Sequence, residues 1–220
     1  MLKQQLFRSQ MNPHFIFNSL GSIQSSIINE EPGKAIRYLS RFSKLMRNIL
    51  DSSIEEVVPL EEELKTIENY LELQKVRYAD KFDYTIDIDT DIDTETVMVP
   101  PMLAQPFIEN AIEHGIKHKV GKGKIEIRIR RSTHRLIDPS THRTPDPLIF
   151  EVEDDGIGRQ KAQEILMQQD AKHKSLATVI TRERIAALNR KSKKKITLEI
   201  IDLKDEKGLA RGTLVRFKLA

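Results

Sequence analysis

The chain has 220 residues, 39% hydrophobic and 31% charged, with a net charge of +3. That length suits one large domain, or a medium domain with a smaller module. The absence of cysteine excludes disulfides, thiolate nucleophiles and cysteine-based zinc sites. With no tryptophan and 5% aromatics, base stacking has little to work with. Basic residues gather at 117–135 and 190–195 without a reading motif, so no direct nucleic-acid partner is expected. No stretch approaches the roughly 18 apolar residues of a membrane span, and no signal peptide is visible.

Residues 1–29 read as a helix, with Ile16, Leu20, Ile23 and Ile27 on one face. Pro32-Gly33 marks a turn. A second helix follows with a seam of Ile36, Leu39, Phe42, Met46 and Ile49. Two amphipathic helices cannot bury both stripes alone, and a four-helix bundle made by two copies is the economical solution, so a homodimer is expected. Pro59 precedes a third helix running through Leu64, Ile67 and Leu71 to about Arg77.

The period then switches to two, with Phe82, Tyr84, Ile86 and Ile88 alternating with polar residues as in a half-buried strand. Pro100-Pro101 is expected to open a helix that runs through Phe107, Ile108, Ala111 and Ile112. Strands follow at Ile125-Ile127-Ile129 and Leu148-Phe150-Val152, separated by a Pro-, Asp- and Ser/Thr-containing loop at 132–147. After Gly158 comes a polar segment, then a helix from about Leu176 to Arg190. Two last strands, Ile196-Leu198-Ile200 and Leu214 to Leu219, flank a turn at Lys207-Gly208. The order specifies an α+β chain: an N-terminal helical hairpin, then an α/β sandwich with a mixed sheet, divided between residues 53 and 62.

Three constellations could carry chemistry. In the segment 10–20, His14 falls opposite the apolar stripe, with Asn18, Ser22 and Ser25 along the same polar face. An imidazole there keeps a nitrogen lone pair near neutral pH; by position alone a solvated surface histidine is the commoner reading. In the segment 106–115, Asn110, Glu113, His114 and Lys117 recur at helical spacing. An amide oxygen on that face could hold Mg²⁺, and the plain alternative is an amphipathic helix with Gly115 as its C-cap. Third, Asp154, Asp155, Gly156 and Gly158 follow a buried strand. A carboxylate there could accept a hydrogen bond from an adenine amine, and the glycines could let backbone approach a ligand; alone, the pattern also fits an ordinary strand-ending turn.

In this order the blocks resemble the LytS-type sensor histidine kinases, whose ATP-binding domain has the Bergerat (GHKL) fold. The segment Gln10-Met11-Asn12-Pro13-His14-Phe15-Ile16-Phe17-Asn18-Ser19-Leu20 is similar to that family's phosphoacceptor box. Residues 100–115 are similar to its N-box, and Asp154-Asp155-Gly156-Ile157-Gly158 to its G1 box. The resemblance implies a dimerisation and phosphoacceptor region at 1–58 and an ATP-binding catalytic domain at 59–220. It implies His14 as phosphoacceptor, Asn110 as the Mg²⁺-binding amide and Asp154 as the reader of adenine. Gly156 and Gly158 would shape the start of the ATP lid, with His114 and Lys117 facing the phosphates. The implied partner is a response regulator, of the LytTR type by family resemblance. The chain would be the cytoplasmic portion of an inner-membrane sensor, tied to the membrane only through segments absent from it.

Departures from the pattern bear on activity. Phe15 stands where many histidine kinases carry an acidic residue, as is usual for this family. The second glycine box is degenerate: Lys174-Ser175-Leu176-Ala177-Thr178 has Ala177 in place of a glycine. The hydroxyls of Ser175 and Thr178, with the N–H groups of the helix that starts there, remain available to phosphates. These losses keep open a pseudokinase scaffold that binds a regulator. ATP-hydrolysing relatives place a glutamate four residues before the N-box asparagine; Pro106 stands there, which disfavours a GHKL ATPase, and neither an ATPase nor an anti-sigma-type serine kinase has a role for the His14 block. The alternating acids Asp87 to Asp93 lack the glycine and glutamate of a calcium loop, and His114 and His118 have no third zinc ligand.

Overall fold

The computed structural model describes residues 13–29, 32–52, 55–79, 81–132, 146–168, 176–191 and 195–220. In chain order the elements are α1 (Pro13–Ile28), α2 (Pro32–Ser52), β1 (Val58–Pro59), α3 (Leu60–Arg77), β2 (Phe82–Ile88), β3 (Met98–Val99) and α4 (Gln105–Asn110). A π-helical turn (Ala111–Ile116) continues α4, followed by β4 (Gly123–Arg131), β5 (Leu148–Asp154), α5 (Arg159–Gln168), α6 (Leu176–Lys191), β6 (Ile196–Lys204) and β7 (Ala210–Leu219). They form two compact units, one drawn from residues up to 80 together with 93–103, the other from 81–92 and 104 onward.

In the first unit α2 packs against both α1 and α3. Its buried face is Ala35, Tyr38, Leu45 and Ile49, spaced by three, seven and four residues as one helical stripe requires. The expected seams are only partly buried. Ile23 and Ile49 are inside, while Leu20, Ile27, Ile36 and Leu39 are exposed, so part of each apolar stripe is left uncovered by the described residues. Pro32 and Gly33 are already helical, in the first turn of α2.

The expected helix at Pro100-Pro101 does not start there. Met102 adopts a left-handed conformation (φ 55°) and its N–H donates to the buried Glu63 carboxylate at 2.8 Å, which holds the chain in a turn. The helix begins at Gln105, and the proline it tolerates in its first turn is Pro106.

The second unit is built on a five-stranded sheet in the order β2-β4-β5-β7-β6. Strands β2 and β4 are parallel, as their crossover through α4 requires, and the other pairs are antiparallel. The sheet is therefore mixed, as expected. Register aligns two apolar rows across it: Ile86-Ile127-Val152-Val215-Ile200 and Ile88-Ile129-Phe150-Phe217-Leu198. Ile125, Ile127, Ile129 and Phe217 are fully buried, each contributing about 1.5–3 kcal/mol. Phe107 of α4 meets Phe217 edge to face at 5.5 Å.

The opposite face is charged. Its central row, Asp87-Arg128-Glu151-Arg216-Glu199, alternates in sign from one edge strand to the other. The segment after Gly158, expected only as polar, forms helix α5. Its apolar residues are few (Ala162, Ile165, Leu166, Met167), so ten residues gave too little periodicity to read. The long loop expected between β4 and β5 lies largely outside the described residues; Ser132 N–H bonds Pro147 O at 2.9 Å where the hairpin opens.

Candidate functional site

At the end of β5 the apolar rows of the sheet give way to a polar one. Register places Tyr84, Ile125, Asp154, Thr213 and Asp202 in line across the strands. Asp154 is 6% exposed and Thr213 8%, so a carboxylate and a hydroxyl close the end of the core. Burial pushes the Asp154 carboxyl up to about 7. The Gly156 N–H, donating to Oδ1 at 2.8 Å, opposes that shift, as does the charge of Lys119, while Asp155 and Glu153 add to it. Near neutral pH this group can exist as an ionised acceptor, suited to an amine N–H presented by a planar ligand.

The turn that follows packs directly on the π-helical turn. A Cβ placed on Gly156 would stand 2.6 Å from the Gly115 Cα, and one placed on Gly115 would stand 3.0 Å from Asp154 Oδ1. The Ile157 N–H donates to Gly115 O at 3.3 Å. Gly115 is thus not a helix C-cap. It lies inside the π turn, whose i to i−5 bond from Lys117 N–H to Ile112 O measures 2.9 Å, and a side chain there would press on the Asp154 carboxylate. π-helical turns concentrate at functional sites.

Asn110 closes α4 where this turn begins, and its side chain is half-buried. His114 is half-buried on the turn, and exposed Lys117 sits 3.7 Å from the buried Glu113 carboxylate. Gly158 is left-handed (φ 77°), and a Cβ there would meet the Ala210 Cβ at 2.7 Å. The structure therefore brings together the asparagine-bearing turn and the aspartate–glycine turn within the second unit.

His14 belongs to the first unit, in the opening turn of the described part of α1, and its side chain lies outside the described residues. Ser175 lies outside them as well. Thr178 is in α6, with its side chain likewise outside.

The sequence reading missed Gly212 and Thr213. Gly212 has φ 138°, and a Cβ there would collide with Asp154 O at 1.8 Å. A glycine inside an alternating strand marks such a close approach, so the signal was present in Arg211-Gly212-Thr213-Leu214. Asp155 was read only as part of a motif.

For Mg²⁺, the described residues contain no group of three acidic, histidine or cysteine ligands. The neutral, half-buried Asn110 oxygen fits a cation that keeps most of its waters and binds largely to phosphates rather than a caged ion. Among the described residues, no helix is long and apolar enough to cross a membrane.

Residues 2–82 match the family model described as histidine kinase. The chain is 32% identical over 151 residues to the sensor protein LytS of Staphylococcus saprophyticus, covering 69% of this chain and 23% of that protein. It is 33% identical over 129 residues to the sensor histidine kinase YpdA of Escherichia coli, covering 59% of this chain and 22% of that one. The chain thus spans about a quarter of the length of such relatives. Among solved structures, the histidine kinase domain of a blue-light activated histidine kinase from Erythrobacter litoralis aligns with a TM-score of 0.48 at 16% identity, over 99% of this chain and 94% of that one.

Proposed function

Because the chain belongs to the LytS-type family of sensor histidine kinases, we propose that it is the phosphotransfer portion of a longer sensor, moving the γ-phosphoryl group of ATP onto His14 and then to an aspartate of a response regulator. One observation carries the nucleotide half of this reading: a buried carboxylate, Asp154, on a glycine turn packed against the turn that bears Asn110.

In this reading Asp154 accepts a hydrogen bond from the adenine amine, with Thr213 beside it. Gly156 and Gly158 let backbone approach the nucleotide. Asn110 would hold Mg²⁺, which supplies charge neutralisation at the phosphates. His114, Lys117, Ser175 and Thr178 complete the phosphate side. A nitrogen lone pair of His14 forms the N–P bond, the bond from phosphorus to the bridging oxygen breaks, ADP leaves, and the imidazole gives up its proton to solvent. The protein's contribution is positioning and charge stabilisation. Pro106, at the place of a hydrolytic glutamate, favours transfer over attack by water.

Residues 1–58 would be the dimerisation and phosphoacceptor region and 59–220 the ATP-binding domain. The uncovered apolar faces of α1 and α2 support a homodimer. The parent protein would be a membrane sensor with this portion in the cytoplasm, and its regulator of the LytTR type.

Incubation with γ-labelled ATP tests the proposal. The expected product is a phosphoramidate, acid-labile and base-stable. His14→Gln should bind MgADP and take up no label. Equal labelling of parent and variant would remove His14 from the role. A scaffold, the reading motivated by Ala177, would bind nucleotide or regulator and yield no acid-labile phosphate.

A further inference from the structure

We propose that Asp155 is a positioning residue, which ends β5 and holds Asp154 and Gly156 in place by substituting its side chain for a sheet carbonyl. The inference deepens the nucleotide-site reading above and rests on it.

Strands β4 and β5 pair in register through Ile125 and Asp154. One step further, the ladder would pair Lys124 with Asp155. Half of that step is made normally: Asp155 N–H donates to Lys124 O at 3.2 Å. The other half is not, because Lys124 N–H donates to Asp155 Oδ1 at 2.7 Å. A side-chain oxygen thus takes the strand's donor and frees the Asp155 carbonyl from the sheet. The chain can turn away at that point, toward Gly156 and its contact with Gly115. A carboxylate or carboxamide one methylene from the backbone reaches this position, and alanine offers no acceptor.

The second oxygen extends the tie. Asp155 Oδ2 pairs with Lys119 Nζ at 2.7 Å, and Lys119 lies just beyond the π turn, its N–H on Ile116 O at 3.0 Å. Lys81 Nζ in turn donates to Lys119 O at 3.0 Å. One residue therefore joins the glycine turn, the start of β4 and the exit of the asparagine-bearing turn. Asp155 is half in solvent, with 39% of its side chain exposed, so its work lies in directed bonds more than in burial.

The charges around Asp154 supply an independent readout. From its own strand and turn come Glu153 and Asp155, from the loop after the π turn Lys119, and on the π turn itself lie Glu113 and His114. Glu153 is paired with Arg128. Removing the Asp155 charge takes away a group that holds the Asp154 proton on, and removing Lys119 takes away one that drives it off.

The experiment compares Asp155→Ala, Asp155→Asn and Lys119→Met with the parent. MgADP affinity is measured by calorimetry across pH 5.5–8.5, and the Asp154 carboxyl is titrated by carbon NMR in nucleotide-free protein. Asp155→Ala should weaken MgADP at least tenfold, and Asp155→Asn, whose amide oxygen still accepts from Lys124, no more than about threefold. The Asp154 midpoint should fall in both Asp155 variants and rise in Lys119→Met. Exchange of the Lys124 amide hydrogen should quicken in Asp155→Ala only. A parent that does not bind MgADP ends the nucleotide reading but leaves the midpoint and exchange results to decide this one. An Asp155→Ala protein with parental Lys124 exchange and an unmoved Asp154 midpoint overturns the inference, as does equal weakening by alanine and asparagine.

Discussion

Gly115 and Gly156 come from different elements, and their backbones meet so closely that a Cβ on Gly156 would lie 2.6 Å from the Gly115 Cα. Neither glycine is left-handed, so what their lack of a side chain provides is space. Gly156→Ala should therefore separate the two turns of the site. The neighbour is backbone and cannot rotate aside, so the cost should be about 1–3 kcal/mol. The Tm should drop, and MgADP affinity should fall at least tenfold. Gly115→Ala, with its nearest contact a carboxylate oxygen at 3.0 Å, should cost less in thermal melts. Equal Tm values for Gly156→Ala and the parent would show that the turns are not locked.

The buried Asp154 makes the nucleotide-free protein sensitive to pH. Its carboxyl titrates at about 7 when folded and near 3.9 when unfolded. Between those values the native state keeps a proton that the unfolded chain has released, so the Asp154 contribution to the unfolding free energy falls as pH rises through that window and is constant on either side. The ceiling of the effect is on the order of 4 kcal/mol. Asp154→Asn, whose amide oxygen can still accept from Gly156, should lose this slope. Denaturant melts from pH 4 to 8 check it: parallel curves for parent and variant would place the titration elsewhere.

The sequence made the strands legible through their alternation, and the mixed sheet through the helix between Phe82 and Gly123. What it did not show were features set by other parts of the chain. The end of the Pro100 turn depends on Glu63, 39 residues away. The role of Gly115 depends on a turn more than forty residues downstream, and local helix-ending rules gave it a different one. Gly212 carried its signal openly, a glycine in an alternating strand, but what it approaches is Asp154, which only the strand pairing reveals. On α1 and α2 hydropathy marks the apolar positions, but it does not say which of them the same chain covers: Ile23 and Ile49 are buried, while Leu20, Ile27, Ile36 and Leu39 are exposed.

Asn110 is the neutral donor on which metal dependence is proposed to rest. Asn110→Ala should bind MgADP and metal-free ADP with similar affinity, whereas the parent should prefer MgADP at least tenfold. The side chain is half-buried at the junction of α4 and the π turn, so its removal should lower stability by less than about 1 kcal/mol. A variant that keeps the full magnesium preference would move the metal contact to another residue.

On the open face of the sheet, Glu151 holds two guanidinium groups at once: Arg216 Nε at 2.6 Å and Arg128 Nε at 3.2 Å. Burial raises its carboxyl, but the bonds from Arg216 and Arg128 outweigh this and hold it below the ordinary glutamate range. Its contribution is thus present above about pH 4.3 and lost as pH falls toward the depressed value. Glu151→Ala leaves two arginines on neighbouring strands without their shared acid and should cost about 2 kcal/mol at pH 7. Glu199→Ala, at the exposed end of the same row, should cost less than about 0.5 kcal/mol. Urea melts that rank the two equally would mean the row is ornamental to stability.

The last prediction concerns the face that α1 and α2 leave open. Phe17, Leu20, Ile27 and Ile28 are 73, 48, 62 and 70% exposed, and Ile36, Leu39 and Leu50 are 65, 47 and 40% exposed. On α2, positions 36, 39, 43, 46 and 50 follow the three-and-four spacing of a bundle seam, with Ser43 and half-buried Met46 completing it. Patches of this kind mark an interface, and a self-complementary hairpin face is what a two-fold dimer needs. Leu20→Glu and Ile36→Glu place charge on it without touching the residues that α2 buries against α1 and α3. Light scattering after gel filtration should show a dimeric parent and monomeric variants, with helical circular dichroism retained. A dimer that survives both substitutions at micromolar concentration would assign the interface to another surface, because a carboxylate buried against its own symmetry mate at this seam would be an unpaired charge facing a like one.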